Sequence, residues 1–177
     1  TGTVTFTIAN SNDAPVAVAD TINLLSTTGP STITVLTNDT DPDTGELHAI
    51  CYKGDDATTI RHVVVDVNGK VRREEPITVN SGPMIHDCMI TKNYVIILDL
   101  TVTFSMKTLL AGHSFPYAWN PNHQARIGLL PREGKNDDVI WCDVGPCQIF
   151  HPANAYETAD GKVIFDACVH DSMFAES

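Results

Sequence analysis

The stretch Tyr94-Val95-Ile96-Ile97-Leu98-Asp99-Leu100 most narrows what this chain can become. It is strongly apolar, rich in β-branched residues and short for a helix, so it predicts a buried strand. Similar signals recur along the chain. Val4, Phe6 and Ile8 alternate with Thr3, Thr5 and Thr7, a period of two that marks a strand with one buried face. Residues 60–67 predict a strand that Asn68-Gly69 turns back into a partner over 70–77. Further strands are predicted over 125–132, 139–144, 148–151 and 162–169, the last entered through the Asp160-Gly161 turn. Residues 101–112 are ambiguous between helix and strand. Short strands at regular spacing, with no helical period between them, predict an all-β assembly.

Composition limits the partners. The chain has 177 residues, room for one ordinary domain or two small ones. Hydrophobic residues at 42% and charged residues at 19% mark a globular chain. Acids outnumber bases 22 to 11, which excludes nucleic acid as a partner, because phosphate binding needs clustered Lys and Arg. No apolar run reaches the roughly 18 residues of a membrane-spanning helix. The start, Thr1-Gly2-Thr3-Val4, lacks the features of a signal peptide, and the chain is expected to be a piece cut at both ends. Cys51, Cys88, Cys142, Cys147 and Cys168 are odd in number and lack zinc-knuckle spacing, so they read as buried free thiols of a reducing compartment. There is no phosphate-binding glycine loop and no Gly-x-Ser-x-Gly elbow.

Two strings place a histidine beside a predicted strand: Pro83-Met84-Ile85-His86-Asp87 and Phe150-His151-Pro152-Ala153-Asn154-Ala155-Tyr156-Glu157. Around them stand Ile90-Thr91-Lys92-Asn93-Tyr94, Trp119-Asn120-Pro121, Arg126-Ile127-Gly128-Leu129-Leu130-Pro131-Arg132 and Asp41-Pro42-Asp43-Thr44-Gly45-Glu46-Leu47. Taken in chain order, the strings resemble the carotenoid cleavage oxygenases, the family that includes the lignostilbene dioxygenases, from about residue 41 to the C-terminus. The resemblance implies about two to three blades of a β-propeller over 44–177. It implies Fe(II) held by four histidines, with His86 matching the second and His151 the third. The first would fall where this chain reads Leu36-Thr37-Asn38-Asp39, and the fourth beyond Ser177, so the site is expected to be incomplete and the chain inactive as it stands. The implied reaction cleaves a carbon–carbon double bond of an apolar polyene or stilbene with dioxygen, in the cytoplasm.

Residues 1–43 carry different strings. Asn12-Asp13-Ala14-Pro15-Val16-Ala17 and Val35-Leu36-Thr37-Asn38-Asp39-Thr40-Asp41-Pro42-Asp43 resemble bacterial cadherin-like and immunoglobulin-like adhesin repeats. That resemblance implies fragments of a β-sandwich repeat ahead of the propeller part, and an extracellular setting. It also implies calcium at Asp39, Asp41 and Asp43, whose alternating carboxylates can meet a hard cation or form a solvated acidic turn. An extracellular calcium-bound repeat is thus the alternative to an enzyme.

The remaining histidines, His48, His62, His113, His123 and His170, read as ordinary polar residues. Asp87 neighbours His86 along a predicted strand and so is expected to face away from it. Glu157 is assigned a structural role in a turn. Phe150 could line an apolar tunnel or belong to the core, and Trp119 is assigned to the core.

Overall fold

A computed structural model describes residues 45–53 and 56–174. The stretch read as an adhesin-like repeat, with Asp39, Asp41 and Asp43, lies outside the described residues.

Strands β1 (Leu47–Tyr52), β2 (Thr59–Val65) and β3 (Val71–Thr78) form an antiparallel sheet in that order. Ile60, His62 and Val64 alternate inward along β2, as a half-buried strand requires. The turn to β3 is made by Asp66, whose carboxylate accepts from the Asn68 and Lys70 N–H groups at 2.9 Å each. Gly69 there has φ +75°, a left-handed conformation that glycine adopts without a Cβ clash.

The second sheet runs β4 (Met89–Ile90), β5 (Tyr94–Asp99), β8 (Arg126–Pro131), β9 (Ile140–Asp143). Between β5 and β8 the chain leaves the sheet as β6 (Val102–Phe104), a short helix α1 (Met106–Leu110) and β7 (Tyr117–Trp119), with β6 pairing β7. The stretch 101–112, which the sequence left open, thus splits into a strand and one helical turn. Ser105 caps that turn by accepting from the Thr108 N–H at 3.2 Å, and none of its residues is buried. The last pair is β10 (Gln148–Glu157) with β11 (Val163–His170).

Strand β5 is the centre of the packing. Val95 and Ile97 point into a cluster with Ile60, Ile77, Val79, Ile85 and Leu130, against the first sheet. Ile96 and Leu98 point the other way, into a cluster with Met89, Ile127, Ile149 and Ala155, against β10 and β11. A strand buried on both faces must be apolar throughout rather than alternating, which explains the apolar run over residues 94–100. All four side chains are 0–1% exposed. Each contributes roughly 1.5–3 kcal/mol by leaving water, so a polar replacement at Ile96 or Ile97 would disrupt one of the two interfaces. The result is all-β, in stacked antiparallel sheets.

Candidate metal centre

His86 lies in the segment between β3 and β4, and that segment is tied to β6. The Met84 N–H donates to the Val102 carbonyl at 2.9 Å, and Pro83 bridges Thr103. His151 lies within β10. The sequence placed turn formers after it, but the strand continues through Pro152 to Glu157. Proline is tolerated there because the pairing slips: register shifts flank Pro152, between Ile149 and Pro152 and between Pro152 and Asn154.

That irregularity matters for the site. In a regular strand Phe150 and His151 would face opposite sides. Here both rings reach His86: His151 at 5.2 Å between centroids and 81° between planes, Phe150 at 5.5 Å and 80°. A bulge re-aims side chains in this way. His86 and His151 are both exposed, and Phe150 is half-buried.

Phe150 is the hub of a larger ring cluster. His170 stands 6.0 Å from it and Phe174 6.1 Å. From Phe174 the rings continue to Phe115 at 5.3 Å and on to Tyr117 at 5.1 Å. His170, read as an ordinary polar residue, is therefore a neighbour of the histidine pair through Phe150. Its place could not be read without the β10–β11 register, which sets it opposite Gln148.

The pair has the spacing of two ligands to one ion. Imidazoles binding a single ion through nitrogen at about 2.1 Å, at roughly right to tetrahedral angles, have centroids roughly 5 Å apart. Among the described residues no group of three or more His, Cys, Asp or Glu converges as a metal site. Two neighbouring candidates are otherwise engaged. Asp87 accepts from the Cys88 N–H at 2.8 Å, and His86 and Asp87 lie outside any strand, so the alternation expected of them does not apply. Burial, with Asp87 beside it, pushes the Cys88 thiol up to about 12, so it is protonated when no metal is bound.

Other polar side chains serve the scaffold. Glu157 accepts from the Thr91 hydroxyl at 2.6 Å, from the Asn93 N–H at 2.7 Å and from the Asn93 side chain at 2.7 Å, tying the end of β10 to the β4–β5 turn. Asp99 is fully buried between His123 and Arg126, each at 2.8 Å. Arg126 also sits 3.8 Å over the Trp141 ring. His48 and His62 stack at 5.1 Å, with a nitrogen–nitrogen hydrogen bond of 2.9 Å.

Two expectations are corrected. Trp119 is half-buried and lines a cleft of about 540 Å³ with Phe104, Asn120 and Met173, rather than filling the core. All five cysteines are free, but Cys51, Cys142 and Cys168 are exposed, because they fall on outward positions of β1, β9 and β11.

The family profile described as Retinal pigment epithelial membrane protein matches residues 26–177. The chain is 35% identical to a carotenoid cleavage oxygenase of Mycobacterium tuberculosis over 76% of this chain and 35% of that protein. Its fold matches the crystal structure of Pseudomonas brassicacearum lignostilbene dioxygenase with a TM-score of 0.66 at 26% identity, over 75% of this chain and 28% of that one. Cobalt-substituted Synechocystis apocarotenoid oxygenase matches with a TM-score of 0.60 at 28% identity, over 73% and 27%. The chain spans about a quarter to a third of the length of the curated relatives it matches.

Proposed function

This chain belongs to the carotenoid cleavage oxygenases, the family whose profile is described as Retinal pigment epithelial membrane protein, and on that premise we propose that His86 and His151 are two of the ligands of a non-haem Fe(II). The reaction we assign is the oxidative cleavage of a carbon–carbon double bond in an apocarotenoid or stilbene-type substrate. One oxygen atom of dioxygen goes to each carbon, giving two carbonyl products. The observation that carries the reading is the meeting of His86 and His151, from separate parts of the chain, at 5.2 Å and 81°.

When bound, Fe(II) supplies the site at which dioxygen is activated. The protein's share is binding and orientation. His86 and His151 must present neutral imidazoles, since only the neutral ring has a free lone pair for a metal. Phe150, packed edge-on to His86, limits the directions that ring can take. The rings of Phe150, Phe174 and Phe115 form an apolar surface beside the histidines on which a conjugated, water-avoiding chain can lie.

The names of the relatives support the substrate class: one is a carotenoid cleavage oxygenase and another a lignostilbene dioxygenase. The test is an anaerobic titration of the chain with Fe(II), followed by oxygen and an apocarotenal or stilbene, reading loss of polyene absorbance. With two imidazoles converging among the described residues, we expect weak binding, lost in His86→Ala and His151→Ala, and no turnover by this chain alone. Iron binding unchanged in both variants would refute the ligand assignment. Turnover abolished by His151→Ala would show that further ligands complete the site.

A further inference from the structure

We infer that Gln148 is a positioning residue for this centre: its buried side-chain amide holds the strand carrying His151 against the segment carrying His86, and so sets the spacing of the two rings. The inference rests on the reading of those histidines as metal ligands and adds the group that fixes them.

Gln148 is 1% exposed, and both ends of its amide are used. Oε1 accepts from the Val102 N–H at 3.2 Å, and Nε2 donates to the Met84 carbonyl at 3.2 Å. The Met84 N–H in turn donates to the Val102 carbonyl at 2.9 Å. Three hydrogen bonds thus close a ring through Met84, Val102 and Gln148. The neighbouring residue repeats the attachment: the Cys147 N–H donates to Thr101 Oγ1 at 3.0 Å, and the Thr101 N–H to the Cys147 carbonyl at 3.2 Å.

The start of β6 is therefore the common reference for both histidine-bearing segments. Met84 lies just before His86, and Gln148 just before His151. The histidines are exposed, so their separation is not imposed by burial in the core. An apolar side chain at 148 would avoid the cost of burying an amide, yet it would strand the Val102 N–H and the Met84 carbonyl without partners in a dry interior. The two segments would part or admit water between them. Because the link is to Met84 itself, that movement is passed directly to His86.

The test uses the full chain and Co(II) as probe. Two quantities are read: the nuclear Overhauser effect between the His86 and His151 ring protons without metal, and the Co(II) dissociation constant. Gln148→Met keeps the length and removes both hydrogen bonds. Gln148→Asn keeps an amide one methylene too short to span, and serves if Gln148→Met does not fold. Ile149→Val, at a buried neighbour, is the control for general loosening. Both Gln148 variants are expected to lose the ring-to-ring effect and to weaken Co(II) about tenfold or more, in the range for loss of a group that orients a ligand. Ile149→Val is expected to keep both within twofold. A folded Gln148 variant with the wild-type ring contact and affinity overturns the inference, and so does an equal loss in Ile149→Val. Wild-type Co(II) affinity that is indifferent to His86→Ala instead overturns the ligand reading, a result separable from the ring-contact measurement.

Discussion

His86 and His151 meet edge to face on the outside of the β-assembly, 5.2 Å between ring centres. Both rings are exposed while Met84, Ile85 and Ile149, close to them in the chain, are buried, so site and scaffold are separable. His86→Ala and His151→Ala should therefore change folding stability by no more than about 0.5 kcal/mol, as for surface positions. Urea denaturation beside Co(II) titration checks this: binding should fall with the midpoint nearly unchanged. A large loss of stability in either variant would make that ring part of the scaffold.

The buried histidine pair should make the fold acid-sensitive. Burial, then the neighbouring His48 and Arg73 charges, push His62 from 6.5 down to about 4. A histidine with a depressed value in the folded state binds its proton more readily when unfolded. Its stabilisation is full above about pH 6.5 and is lost as pH falls toward 4, by at most about 3 kcal/mol. Thermal unfolding should show a falling Tm between pH 7 and pH 4.5, and His62→Leu should flatten that slope. An unchanged slope in the variant would place the acid sensitivity elsewhere.

Gly128 is required by its neighbour across the sheet. A Cβ at this position would meet Trp141 Cζ3 at 2.7 Å, nearer than carbon atoms approach. The indole cannot move freely, since Arg126 rests on it at 3.8 Å. Gly128→Ala should cost about 1–3 kcal/mol through overpacking. Trp141 fluorescence during urea unfolding would report both the lower midpoint and a shifted native signal. A midpoint equal to wild type would show that the ring has room to yield.

The scaffold was largely legible in the sequence, and the site only in part. The run 94–100 announced a buried strand because two-sided burial removes every polar position but Asp99, which is satisfied by His123 and Arg126. The Asn68-Gly69 turn was legible because few residue pairs accept its backbone. The length of β10 was not, since Pro152 argues locally against a strand and only the slipped pairing with β11 accommodates it. The same slip brings Phe150 and His151 to one side, which strict alternation forbids. The convergence of His86 and His151 was expected from the strings around them. Gln148 was not: a glutamine between Cys147 and Ile149 carries no local signal, and its role depends on contacts with Met84 and Val102 far off in the chain. The His48–His62 contact likewise depended on the β1–β2 register, which sets His48 opposite Val64 and Ile50 opposite His62.

Glu157 fixes the far end of the strand that carries His151. Its carboxylate gathers three donors from Thr91 and Asn93. Partial burial works to raise its pKa, but those hydrogen bonds outweigh it and hold the group below the usual carboxylate value. A depressed acid gives its stabilisation above the unfolded value near 4.5 and loses it as pH drops through the lower folded value. Glu157→Gln keeps one acceptor oxygen but turns a donor toward the donors of Asn93. At pH 7 it should cost about 1–2 kcal/mol, the scale of lost hydrogen bonds to a charged group. The loss should appear locally as well. The Asn93 N–H should exchange with solvent roughly tenfold faster, at about 1.4 kcal/mol per tenfold, while the amides of β2 and β3 keep their protection. Because Gln148 secures the near end of β10 independently, the His86–His151 ring contact should survive in Glu157→Gln. Its disappearance there would mean that the strand is held as a unit from the Glu157 end, rather than clamped at two separate points.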